Sequence, residues 1–137
     1  MRYVPILFIL GIGIIIVCFL SWLPTPNLGV YGILPRWITQ WTDNTANMNT
    51  RTAIPLALLG TCCGLWLVQG KRTWANWVVM WLVLIAIVGI AELGQLMLPH
   101  RHFDWGDISW GSIGACGGLS LIAFIRFIYT RRHLFKR

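Results

Sequence analysis

Between Glu92 and Gly118 the chain reads ELGQLMLPHRHFDWGDISWGSIGACGG, and three of its four carboxylates, Glu92, Asp104 and Asp107, fall within sixteen residues of this stretch. Glu92 and Gln95 stand three residues apart inside an otherwise apolar run, so on a helix they share one face. Past Pro99 comes a compact polar segment of His100, Arg101, His102, Asp104 and Asp107, before apolar residues resume at Ile108. Carboxylates and histidines at this density can move protons or hold a divalent ion. Carboxylates mixed with arginine can instead bind a charged or polar group. The first two chemistries lack support in the spacing. His100 and His102 diverge on a helix and share a side only in an extended loop. No Ser or Cys is placed with His and Asp in a way that spacing certifies, since such triads are defined in space. No catalytic residue, metal or cofactor is therefore assigned.

The elements that must position these groups are membrane spans. Of 137 residues, 57% are hydrophobic and 11% charged, where a soluble domain carries about 25% charged residues. The fold class is an all-α membrane protein, a four-transmembrane-helix bundle in a single domain over residues 1–137. The net charge of +7 does not indicate nucleic acid, because the basic residues border apolar spans, where they set topology and meet anionic headgroups. Cys18, Cys62, Cys63 and Cys116 lie inside apolar runs and read as small packing residues rather than a disulfide framework. The adjacent pair Cys62-Cys63 also lacks the two-residue spacer of a thiolate metal site.

The first span, 4–23, is longer than a signal peptide's apolar region and is followed by no A-x-A-like site, so it reads as a retained helix. A loop opened by Pro24 and Pro26 follows. In it Leu34, Trp37, Ile38 and Trp41 recur at i, i+3, i+4 and i+7 behind Pro35, which predicts a short helix lying along the membrane surface, its indoles at headgroup level. The second span, 53–69, carries Pro55 in its first turn and the small-xxx-small pair Gly60 and Gly64. The third, 74–98, is long enough to require tilt. In the fourth, 108–129, Gly111, Gly114 and Gly118 continue the face that starts at Asp107, a smooth groove suited to close helix packing.

Orientation follows from the lysines and arginines. Arg2, Lys71, Arg72, Arg126, Arg131, Arg132, Lys136 and Arg137 fall toward one side, and Arg36, Arg51 and Arg101 toward the other. Both termini are thereby expected in the cytoplasm, with every carboxylate toward the outer surface. An unpaired carboxylate at the bilayer centre costs about 2.5–3.5 kcal/mol, so Glu92 needs a partner, and Arg101 and Arg51 are the expected ones. One reading makes that pair a structural lock. The other makes Arg51, Glu92, Gln95, Arg101, Asp104 and Asp107 a ligand-binding set, an outward-facing pocket built by the second, third and fourth spans for a lipid headgroup or envelope precursor.

These residues resemble a known family, the VanZ-like membrane proteins. Glu92, Gln95, Arg101, Asp104 and Asp107 are similar to its run of Glu and Gln in one helix followed by Arg, Asp and Asp in a loop, and Gly114 and Gly118 to its glycines. Asn49-Thr50-Arg51-Thr52-Ala53-Ile54-Pro55-Leu56 resembles the family's entry into its second helix, and Asp43 sits where an upstream acid is usual. Two positions depart: Gly111 stands where the family has Asn, and Asn44 and Asn47 replace a frequent Lys and His. The resemblance implies a small bacterial cell-envelope protein of a family linked to glycopeptide and lipopeptide antibiotic resistance. Three functions stay open: non-catalytic lipid or precursor binding; a structural accessory subunit that docks into a larger membrane complex through its glycine faces and nine tryptophans; and a membrane enzyme acting on a lipid-linked precursor. Expected partners are membrane lipids and, in the second case, a larger complex or a homo-oligomer, but no nucleic acid.

Overall fold

The computed structural model describes residues 4–25, 27–47, 50–99 and 101–134, and the side chains of residues 8–25, 27–47, 50–99 and 101–131 among them. Arg2, Pro26, Asn49, His100, Lys136 and Arg137 of the sequence argument lie outside the described residues, as does the side chain of Arg132. The described chain is helical, without strands: α1 (Val4–Ser21), α2 (Arg36–Thr42), α3 (Thr50–Gln69), α4 (Trp74–Gln95) and α5 (Trp105–Leu134), with short 3-10 turns at Leu28–Tyr31 and Thr45–Asn47. Helices α3, α4 and α5 are each long and apolar enough to cross a membrane, and α1 adds a shorter apolar helix, Phe8–Ser21.

The centre of the molecule is the seam between α3 and α5, the most extensive helix contact. A Cβ added at Gly114 would run into the carbonyl oxygen of Ala53, and one at Gly118 into that of Ala57. From the other side, a Cβ on Gly60 would come within 2.5 Å of the Ala115 carbonyl oxygen. The two backbones thus touch directly, which only small residues at the crossing permit. Gly64 adds to the seam by lying against Ile122, and Gly111 lies against Val88 of α4. Leu56, Cys63, Leu84 and Val88 complete a dry core.

Helix α4 closes on the seam, fastened by the Trp81 indole N–H, which donates to the Ser112 carbonyl over 3.1 Å. Helix α1 is held against α3 and α4. The Trp22 indole N–H donates to the Ala91 carbonyl at 3.1 Å, and its ring occupies the space that a Cβ on Gly94 would need.

Five boundaries differ from the sequence reading, two of them small or far from the polar residues: α1 ends at Ser21 rather than 23, and α5 runs on to Leu134 rather than 129. Helix α3 starts at Thr50, so Pro55 lies inside the helix and not in its first turn, and the carbonyl of Arg51 loses its intrahelical donor. Helix α4 ends at Gln95 rather than near 98, the chain turning through Leu96–Pro99. Helix α5 starts at Trp105 rather than 108, because the Asp104 carboxylate accepts a 2.7 Å bond from the Gly106 backbone N–H. That bond is an N-cap, which satisfies one of the free donors of the first turn.

Candidate functional site

The end of the bundle where α1 finishes and α3 and α5 begin gathers the polar residues. Glu92 is 1% exposed and Gln95 4%, so both need bonding partners inside the protein. Gln95 Nε2 donates to Glu92 Oε1 at 2.6 Å, one helical turn apart. The other carboxylate oxygen, Oε2, accepts from the Asp104 backbone N–H at 3.2 Å. Glu92 therefore pins the start of α5 to the end of α4, its hydrogen bonds running to Gln95 and Asp104, while Arg101, one of the two arginines the sequence argument expected, acts on it electrostatically.

Arg101 is engaged elsewhere. Its Nε donates to the Leu23 carbonyl at 3.2 Å and Nη2 to the Ser21 carbonyl at 3.1 Å. The last carbonyls of a helix have no intrahelical donors and carry the negative end of its dipole. A guanidinium there satisfies both needs, which is why Arg101 reaches across to α1. Burial lowers its pKa, and the like charge of Arg51 lowers it further, against the pull of Glu92, Asp107 and Tyr31. Two half-buried guanidiniums thus act on each other at one end of the molecule. Asp107, in the first turn of α5, accepts a 3.0 Å bond from the Thr52 hydroxyl and stands within electrostatic reach of both arginines.

Beside these groups opens a cavity of about 620 Å³. Gln95, Arg101, Asp107, Arg51 and Thr52 form a polar margin with Ser21 and Thr42, and the rest is mostly hydrocarbon: Val17 and Leu20 from α1, Ile54, Pro55 and Leu58 from α3, and Leu34, Trp37, Ile38 and Trp41 from the loop and α2. The helical stripe legible in the sequence is the cavity's roof. Asp43 anchors that roof. Its carboxylate accepts from the backbone N–H groups of Leu28 at 2.8 Å and Gly29 at 2.9 Å, joining the end of α2 to the 3-10 turn. Burial pushes the Asp43 pKa up, but the two N–H donors, with the Thr42 hydroxyl and the charge of Arg51, outweigh it and hold the carboxyl below its usual value.

The structure thus brings Arg51, Gln95, Arg101 and Asp107 to one cavity wall, whereas Glu92 and Asp104 stay outside the lining and tie α4 to α5. The cavity is framed by α1, α2 and α3, with α4 and α5 supplying one polar residue each, and not by the second to fourth spans as the sequence argument had it. Thr52 was missed by that argument, and no local pattern marks it. Among the described residues no three His, Cys, Asp or Glu side chains converge on a point that could hold a metal. What the arrangement offers chemically is a hydrocarbon slot that ends in two guanidiniums, a carboxylate and an amide. Comparison of the chain with protein-family models, with curated proteins and with solved structures finds no match.

Proposed function

We propose that the chain is a VanZ-like protein of the bacterial inner membrane that binds a lipid or lipid-linked envelope precursor without transforming it. In this reading α1, α3, α4 and α5 all cross the bilayer, both termini face the cytoplasm, and α2 lies in the outer interface with Trp37 and Trp41 at headgroup depth. The observation that carries the reading is the cavity: hydrocarbon walls leading to Arg51, Gln95, Arg101 and Asp107. A water-soluble polar ligand would lose its hydration against those walls without compensation, whereas an amphiphile matches both ends. Binding rather than catalysis is favoured because the polar groups described are engaged in fixed bonds, Glu92 with Gln95 and Asp107 with Thr52.

The experiment is native mass spectrometry of the protein extracted from its own membrane in a mild detergent. A retained lipid or glycolipid, lost in Asp107→Asn, is the expected result. Bare protein from every extraction would count against the reading.

A second reading, an accessory subunit of a larger complex, is favoured by one feature. On α5 Cys116, Gly117 and Ser120 are exposed, and a Cβ on Gly117 would meet nothing within 4 Å, so another helix could approach there. Gly114 and Gly118 cannot serve that purpose, because α3 already covers them. A stoichiometric protein partner in the same mass spectrum, lost in Gly117→Leu, would decide for the subunit.

A further inference from the structure

The cavity has a defined polarity along its length, and this narrows the class of ligand. Arg51 and Arg101 both line it, with Asp107 the one carboxylate among the lining residues and Glu92 acting on Arg101 from behind the wall, so two guanidiniums face the cavity at its polar end. The two bonds of Arg101 to the α1 carbonyls engage two of the five N–H donors of a guanidinium. The same bonds hold the group in place, so it is pre-organised toward the cavity. Two guanidiniums lining one end of a cavity present planar fork-shaped donors that suit a phosphate's oxygens.

The remaining wall is apolar: Val17 and Leu20 on α1, Ile54 and Leu58 on α3, Trp37 and Trp41 on α2. Its volume of about 620 Å³ lies in the middle of the ~300–1,000 Å³ range of small-molecule sites, which is room for one hydrocarbon chain and not for a large headgroup.

We propose that the cavity takes one hydrocarbon chain of a phosphate-bearing membrane lipid, with the phosphate seated at Arg51 and Arg101. This rests on the lipid-binding reading above and adds the head chemistry and the place of the chain. Asp107 sits at the edge of the phosphate site as the acceptor for a donor group of the head, and Gln95 offers an amide beside it.

The test uses the full chain in nanodiscs and four probes: lysophosphatidic acid, lysophosphatidylcholine, monoacylglycerol and glycerol phosphate. The first carries a phosphate monoester and one chain, the second a phosphate masked by choline, the third the chain alone and the fourth the head alone. Lysophosphatidic acid is expected to bind at least about tenfold more tightly than each of the others. Arg51→Gln should remove that preference, and Ile54→Trp, which fills the slot from an exposed position, should weaken binding by a similar factor while leaving thermal stability unchanged. Equal binding of lysophosphatidic acid and monoacylglycerol would overturn the phosphate assignment and leave the lipid-binding reading standing. Equal binding of glycerol phosphate would overturn the seated chain, and so would undiminished binding in Ile54→Trp. No binding of any of the three lipids would overturn the lipid-binding reading itself.

Discussion

The two sides of α3 teach opposite lessons. On one side it meets α5 so closely that backbone touches backbone at Gly114 and Gly118, and no room is left for a ligand or for a side-chain change. On the other it faces α1 and α2 across about 620 Å³ of unfilled, mostly apolar space. One helix therefore serves as a rigid reference on one face and as a cavity wall on the other. The polar groups cluster where these two regimes meet, at the first turns of α3 and α5. Rigidity of the seam is what gives Thr52 and Asp107 a fixed separation, and the open side is what leaves Arg51 and Arg101 a space to act in.

The contrast predicts a graded series of effects. The largest is expected in the seam. Gly114→Leu or Gly118→Leu forces the helices apart and should cost about 3 kcal/mol or more, beyond the common range for overpacking because backbone and not a side chain must move. Gly117→Leu on the same helix, facing open space, should stay within about 0.5 kcal/mol. Thermal unfolding in one detergent compares the three, and equal losses would erase the distinction between the two faces of α5.

Next comes the lock between α4 and α5. Glu92→Leu leaves the Gln95 amide and the Asp104 N–H without their acceptor, at about 2–3 kcal/mol. Glu92→Gln should cost less, since its amide oxygen still accepts one of these bonds. The same unfolding assay ranks them, and a milder Leu than Gln variant would contradict the bonding described.

A smaller effect is expected in the roof. Asp43→Ala should cost about 1 kcal/mol, the N–H groups of Leu28 and Gly29 being close to solvent. Because the Asp43 pKa is lowered on folding, its contribution is complete above the ordinary carboxylate range and is lost as pH falls through the depressed folded value. The protection of α2 amides from hydrogen exchange, after correction for the intrinsic rate, should therefore fall in acid in the wild type and show no such step in Asp43→Asn. Among the polar contacts the smallest change is Thr52→Val, at about 0.5–1 kcal/mol for one hydroxyl bond to a carboxylate. Its mark should be a shift in ligand affinity rather than in unfolding.

Much of this arrangement was legible in the residues, and what was not had one physical cause. Apolar runs mark α3, α4 and α5 because burial in lipid leaves composition little freedom, and the stripe Leu34, Trp37, Ile38 and Trp41 marks α2 because helical spacing is local. Spacing also put Asp107, Gly111, Gly114 and Gly118 on one face. The start of α5 could have been read earlier: Asp104 followed by Asp107 is the pattern of a capped first turn, but its polar neighbours made it look like loop. Partners distant in sequence were not readable. Arg101 bonds carbonyls 78 and 80 residues away, and a carbonyl acceptor leaves no trace in residue type. For the same reason the hydrogen bond of Glu92 to the Asp104 backbone N–H could not be read from the residues.

Hydrogen exchange of the full chain, with and without lysophosphatidic acid, tests the contrast most directly. The account predicts that the lipid slows exchange in residues 34–43 and 50–52, and leaves the seam between Ala53–Gly64 and Ala115–Ile122 unchanged. Protection spread evenly over the bundle, or none at all, would contradict the assignment of the open side of α3 as the binding side.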